Sequence, residues 1–300
     1  MVNKKTRNYL VFGLLCIVIL LAANTVAAGL GKWWDVEPEE ENPSPYYDSI
    51  LYSEIPPKLR EIEKNSNRVK VEVIGQSAAG RNLFLVTLSD PQAMGRLGQY
   101  QAIRNTMLKD PEKAQEMIDK FGDFKVPVFI NGSIHGGEYP GTDAAIRLIE
   151  TLAYQDTPEV QNILDNVILL VNVVQNPDGR VAGTRSNSNG FDVNRDFITQ
   201  SQPETRATVK LLTEWNPMVT LDLHGFVTPM LIEPCTAPHN PNYEYDLYLQ
   251  WALYQAFAME DELFAQTGLS AQIPYRDRPG GWDDWPPSYT PMYAMYHGSY

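Results

Sequence analysis

VPVFINGSI (residues 126–134), HGGEYPG (135–141) and TDAAIRLIETLAY (142–154) follow one another without a break, and their reading decides the fold. The first is a short, continuously apolar run that ends in small residues, the signature of a strand buried on both faces of a sheet. From Gly141 to Ala153 the period changes. Ala144, Ala145, Leu148, Ile149 and Leu152 recur at helical spacing, so a helix is expected to follow the strand after a Gly-rich loop.

Further along the chain the alternation continues. VILLVNVV (167–174) reads as a second buried strand, Glu204 to Trp215 as a helix, Val219 to Leu223 as a third strand closed by His224-Gly225, and Tyr245 to Thr267 as a long amphipathic helix. Upstream, Val69–Ile74 and Leu83–Leu88 flank the turn-like SAAGRN and predict a hairpin. Arg96 to Lys120, polar around Asp110-Pro111, predicts a surface helical insertion. Strands alternating with helices predict an α/β fold: a mixed, mostly parallel twisted sheet with helices on both faces. No internal repeat is visible.

The chain has 300 residues, enough for one large α/β domain, and 43% of them are hydrophobic. Its formal charge of −13 repels nucleic acid and anionic membranes, so a nucleic-acid partner is not expected. At the N-terminus Lys4, Lys5 and Arg7 precede an apolar run from Tyr9 to Ala23 and a small-residue stretch with Val26 and Ala28 placed for cleavage. This predicts a signal peptide over residues 1–28, with an uncleaved membrane anchor as the alternative, and a secreted or cell-envelope location either way. Residues 29–50 (GLGKWWDVEPEEENPSPYYDSI) predict an acidic, Pro-rich extended linker or surface segment before a catalytic domain over 51–300. Cys16 lies in the apolar run and Cys235 stands alone in the rest of the chain, so no internal disulfide is expected.

Ligands in such sheets collect at the carboxyl ends of strands, where loops converge. Two of the four histidines fall there. His135 follows the strand from Val126, Glu138 comes three residues later on the tight loop, and His224 closes another buried strand. Two imidazoles and one carboxylate would leave a fourth tetrahedral position open, as a hydrolytic zinc site requires. Between them lie Asn176-Pro-Asp-Gly-Arg180, Gly183-Thr-Arg185 and Gly190-Phe-Asp-Val-Asn-Arg-Asp-Phe197. Read alone, Asn176-Pro-Asp-Gly is an ordinary β-turn, and Arg180, Arg185 and Arg195 are solvated surface charges.

With HGGE before these motifs and DLHG after them, the chain over roughly residues 126 to 225 resembles the zinc carboxypeptidase family, the carboxypeptidase A-like metallopeptidases. The resemblance implies a metallocarboxypeptidase that removes C-terminal residues from peptides. His135, Glu138 and His224 match the ligands of one Zn2+, and Asp192 matches the carboxylate that holds the first ligand histidine. Asn194 and Arg195 match the pair that binds a substrate's C-terminal carboxylate, and Arg185 the arginine that stabilises the oxyanion. Asp143 and Asp222, although close to ligands, read as structural: a first-turn helix acid and a strand-end polar residue. His239 and His297 read as loop residues.

The family's general-base glutamate has no counterpart in this sequence. Glu233 follows His224 too closely, and Glu244, Glu260 and Glu262 fall in or beside the amphipathic helix. The expectation is therefore a domain incomplete at its C-terminus, with the base beyond Tyr300, and residues 29–300 that bind zinc without cleaving peptides. The family's mobile capping tyrosine is left open among Tyr289, Tyr293, Tyr296 and Tyr300. Two alternatives remain: a hydrolase of cell-wall peptides or acyl amides on the same fold, and a non-catalytic zinc-containing domain that holds peptides by their C-terminus.

Overall fold

A computed structural model describes residues 32–225, 230–232, 236–277 and 285–300. The segment read as a signal peptide, Cys235 and Glu233 lie outside these residues. In chain order the main elements are α1 (Ile55–Asn65), β1 (Val69–Gln76), β2 (Asn82–Leu88), α2 (Leu97–Met107), α3 (Pro111–Phe121), β3 (Val126–Gly132), α4 (Pro140–Tyr154) and α5 (Pro158–Asn166). They continue with β4 (Val167–Asn172), α6 (Pro177–Ala182), α7 (Pro203–Trp215), β5 (Val219–Leu223), α8 (Tyr245–Thr267) and α9 (Thr290–Met295).

The five strands form one sheet in the order β1-β2-β4-β3-β5. β4, β3 and β5 are parallel, with Asn131 opposite both Asn172 and Asp222. β2 runs antiparallel to its neighbours β1 and β4, so it alone reverses direction and the sheet is mixed. β3 and β4 are the continuous apolar runs of the sequence, because both of their faces are covered, whereas β5 carries Thr220 and Asp222 and is half-buried along its length. On one face Ile55, Leu59 and Ile62 of α1, Ile146, Ile149 and Leu152 of α4, and Val160 and Leu164 of α5 pack with Leu169 and Val171. On the other, Tyr100 of α2, Leu211, Leu212 and Trp215 of α7 and Ala294 of α9 pack with Phe129, Ile168 and Leu170. Each such large side chain contributes roughly 1.5–3 kcal/mol on burial.

The polar stretch around Asp110-Pro111 is two helices. The Asp110 side chain accepts from the Lys113 amide at 3.0 Å and starts α3, and Gly122 at φ 82° ends it. α8 has the bounds its sequence suggests but not the simple amphipathic packing. Tyr248 and Ala256 are buried, whereas Leu247, Trp251, Tyr254, Phe257 and Phe264 are exposed. Apolar residues occupy consecutive positions from Leu247 to Leu249 and Trp251 to Tyr254, so they cannot all share one face.

Residues 32–50 contain neither helix nor strand, yet they are held to the body of the molecule. Trp33 packs against Phe84 in a tilted arrangement with ring centroids 5.7 Å apart. The Glu41 carboxylate accepts from the amides of Tyr52 and Ser53 at 2.6 and 2.9 Å. The Asn42 amide donates to Val181 O at 2.8 Å, and its carbonyl accepts from the Tyr139 hydroxyl at 2.7 Å. At the other end of the chain Tyr300 lies along β5, its amide donating to Met218 O and its carbonyl accepting from Thr220 N, both at 3.0 Å.

Candidate metal centre

β3 delivers His135 and Glu138 through a forced turn. Ser133 takes a left-handed φ of 46°, a conformation that costs a non-glycine residue energy and must be held by its surroundings. The hold is visible: Ser133 O accepts from the Asn176 amide at 3.2 Å and Gly132 O from the Gln175 amide at 2.9 Å. These bonds bring the chain after β4 against the loop after β3. There the two backbones touch, because a Cβ on Gly136 would stand 1.9 Å from the carbonyl carbon of Gly179. Asn176, whose side chain accepts from the Gly179 amide at 2.9 Å, starts α6, so Asn-Pro-Asp-Gly is a helix start rather than a β-turn.

The result is that His135, Glu138 and His224 offer ligand atoms all within 4.8 Å of one another. Nδ1 of each histidine points to a different oxygen of the same carboxylate: His135 to Glu138 Oε1 and His224 to Glu138 Oε2, each at 2.7 Å. The Gly225 amide also donates to Oε2, at 3.2 Å. Burial raises the pKa of Glu138, but the hydrogen bonds and charges of both histidines outweigh it and bring the value down to about 2. Burial lowers His224, yet Asp222 and Glu138 push it up to about 10. His135 is shifted upward as well, Asp192 and Glu138 outweighing the opposing effect of burial. Two imidazole nitrogens and a carboxylate converging at this spacing fit zinc.

The remaining residues singled out in the sequence surround this group. Asp192 Oδ1 lies 3.1 Å from His135 Nε2, and its Oδ2 accepts from Arg185 Nε at 2.9 Å. Burial raises Asp192, but His135 and Arg185 hold it far below the usual carboxylate range. Arg185, whose side chain is half exposed, brings Nη1 to 3.1 Å from His135 Nδ1 and 3.7 Å from Glu138 Oε1. Its guanidinium therefore stands at the open side of the ligand cluster. Asn194 places Nδ2 3.5 Å from His224 Nε2, while its Oδ1 accepts from the Thr290 amide at 3.1 Å. The Arg195 guanidinium lies over the Tyr289 ring, 4.7 Å from its centroid, and Nη1 donates to Asn194 O at 2.8 Å.

Two residues do what the sequence does not suggest. Arg180 is fully buried rather than a surface charge. It donates to Asp143 Oδ1 at 2.7 Å, to Ile50 O at 2.6 Å and to Tyr139 O at 3.2 Å, tying α6 to the residue after Glu138. Asp222 presents Oδ2 to His224 Nε2 at 3.1 Å. The signal that could have found it is its spacing: residues i and i+2 of a strand share a face. Of the glutamates after His224 that are described, Glu260 binds Arg276 at 2.7 Å and Glu262 accepts from Gln266 at 2.5 Å, both on α8.

The zinc carboxypeptidase family model matches residues 58–296. This chain belongs to the zinc carboxypeptidase family. Family relatives include human carboxypeptidase D, 29% identical over 223 residues that cover 68% of this chain and 13% of that protein. Carboxypeptidase SOL1 of Arabidopsis thaliana is 28% identical over 180 residues, 56% of this chain and 31% of that protein. The chain thus spans less than a third of the length of these relatives. Among solved structures, carboxypeptidase A from Helicoverpa armigera superposes with a TM-score of 0.60 at 17% identity, covering 96% of this chain and 70% of that one. A metallo-carboxypeptidase from Pseudomonas aeruginosa gives 0.59 at 19% identity, covering 85% and 59%. At such identities the likeness is one of fold, and it agrees with the mixed α/β sheet described above.

Proposed function

We propose that the protein is an exported metallocarboxypeptidase of this family, in which His135, Glu138 and His224 hold one zinc ion and a peptide binds by its free C-terminal carboxylate. The observation that carries this reading is the convergence of both imidazole Nδ1 atoms on the two oxygens of Glu138, with Arg185 at the rim. When bound, zinc would polarise the scissile carbonyl and lower the pKa of a water. Asp192 accepts from His135 Nε2, which keeps that imidazole's Nδ1 lone pair available to the metal. Arg185 supplies the donor for charge developing on the carbonyl oxygen, since Nη1 already reaches the ligand atoms.

Arg195 and Asn194 receive the terminal carboxylate, for which a planar guanidinium offers a two-pronged contact. Of the four tyrosines considered, Tyr289 is the one whose ring covers Arg195, beside the place where the terminus would bind. Export rests on the N-terminal sequence pattern; no helix among the described residues is long and apolar enough to cross a membrane.

The test is the zinc content of the purified full-length protein, with hydrolysis of paired peptides bearing a free or an amidated C-terminus, before and after a chelator. Chelator-sensitive cleavage confined to the free carboxylate is the expected result. Equal cleavage of amidated peptides would mean that Arg195 does not anchor the terminus. Bound zinc without cleavage of either peptide would favour the non-catalytic binding domain.

A further inference from the structure

A row of three polar side chains crosses the sheet beneath the metal cluster. Asn172, Asn131 and Asp222 are direct partners on β4, β3 and β5, and paired residues of parallel strands point to the same face. They are hydrogen-bonded in sequence. Asn172 Nδ2 donates to Asn131 Oδ1 at 2.9 Å, Asn131 Nδ2 donates to Asp222 Oδ1 at 2.8 Å, and Asp222 Oδ2 faces His224 Nε2 at 3.1 Å. The Asp222 side chain is 3% exposed against 24% for Asp192. A buried carboxylate at a strand position flanked by apolar residues is costly unless its oxygens are bonded, and in this strand the bonds run to a metal-ligand histidine.

Two groups face His224 Nε2, Asp222 Oδ2 at 3.1 Å and the Asn194 amide Nδ2 at 3.5 Å; the carboxylate oxygen is the nearer, and a carboxylate oxygen accepts, so the nitrogen facing it donates. We propose that Asp222 is a positioning residue of the metal centre. It fixes His224 with its proton on Nε2, so that the Nδ1 lone pair is held toward the metal, and Asn131, braced by Asn172, fixes Asp222. The proposal rests on the reading that His135, Glu138 and His224 bind zinc. It makes the centre doubly braced, with one carboxylate behind each imidazole: Asp192 behind His135 at the open side and Asp222 behind His224 within the sheet.

The geometry makes an unusual demand on the variant Asp222→Asn. Asn131 Nδ2 draws an oxygen toward itself, so the new amide would turn its own NH2 to His224 Nε2. Nε2 must then accept, the ring proton moves to Nδ1, and the ligand atom is blocked. The double swap Asn131→Asp with Asp222→Asn reverses this. The carboxylate now at position 131 accepts from the amide at position 222, whose oxygen is then free for Nε2–H. Gln175, which has an unpartnered Nε2 beside Asn131 and accepts from it at 2.5 Å, can turn over to donate instead.

The experiment is zinc affinity of the full-length protein at fixed pH by competition with a chromophoric chelator, for the wild type, Asp222→Asn and the double swap. The expected results are a loss of about 10- to 100-fold for the single variant and recovery of most of it in the swap. In the zinc-loaded wild type, 15N–1H spectra are expected to show a proton on His224 Nε2. That measurement stands even where a variant fails to fold. A wild type that binds zinc beside an Asp222→Asn protein of equal affinity would overturn this inference alone, as would a zinc-loaded His224 without an Nε2 proton. A wild type that binds no zinc would overturn the metal reading and this inference with it.

Discussion

At the residue scale the centre is economical: one carboxylate, Glu138, meets both histidines and the Gly225 amide. Its replacement is therefore expected to be severe. Glu138→Gln should leave a protein that retains less than one-tenth of its zinc after dialysis, measured by atomic absorption, whereas Glu244→Gln at the start of α8 should retain it fully. Arg185→Ala should lower kcat of the full-length enzyme by about 10²–10³ with KM little changed, the size seen when one donor to a developing oxyanion is removed. Arg195→Ala acts differently. Loss of a charge-assisted contact, worth about 1.5–3 kcal/mol, should weaken calorimetric binding of free-carboxylate peptides and leave amidated ones unchanged.

At the scale of elements, the loop after β3 and the start of α6 are pressed together with no room for a side chain. Gly136→Ala would drive a methyl group into the Gly179 backbone, which cannot rotate aside as a side chain could. Loss of the native fold or a fall in thermal midpoint of more than 10 °C is expected, read by circular dichroism; a midpoint within 2 °C of wild type would refute the contact. Asp178, on the same short helix, is buried and accepts from Ser77 Oγ at 2.6 Å, Ser188 Oγ at 2.8 Å, Arg81 Nη1 at 2.9 Å and the Ala79 amide at 3.0 Å. These bonds pin the turn between β1 and β2 to the site. Burial raises the Asp178 pKa, but the hydrogen bonds outweigh it and the net shift is downward from 3.8. A depressed carboxyl stabilises the fold above its ordinary pKa and ceases to do so as pH falls through its folded value. Asp178→Asn should therefore cost about 3 kcal/mol near neutrality, and the gap to wild type should narrow below about pH 4, as denaturant titrations at several pH values would record.

On the scale of the whole molecule, the site joins parts of the chain far apart in sequence. Residues 32–50 lie against Tyr139 and Val181, directly behind the ligand loop, and the buried Arg180 bonds Ile50, Tyr139 and Asp143 together. Zinc that binds the native cluster but not the unfolded chain stabilises the fold by mass action, by about 4 kcal/mol at a thousandfold excess over Kd. Chelation should accordingly lower the thermal midpoint by several degrees and restoring zinc should return it. An unchanged midpoint in a protein shown to lose its zinc would mean that the centre is held entirely by its protein contacts.

The sequence by itself determined the features set by local pattern. Continuous apolar runs make buried strands, the change of period after Gly141 makes α4, and the three-residue step from His135 to Glu138 puts an imidazole and a carboxylate on one turn. The family was legible for the same reason, since its motifs are short and lie in chain order within one span. What only the tertiary structure decided depends on pairings between distant residues. Strand register set Asn131 against Asp222, the contact of two loops demanded glycine at 136, and the fold of α6 buried Arg180 against a segment 130 residues upstream. Local sequence fixes which way a side chain can point, but only the packed chain fixes what it meets there, because partners separated by tens of residues leave no periodic trace in either segment.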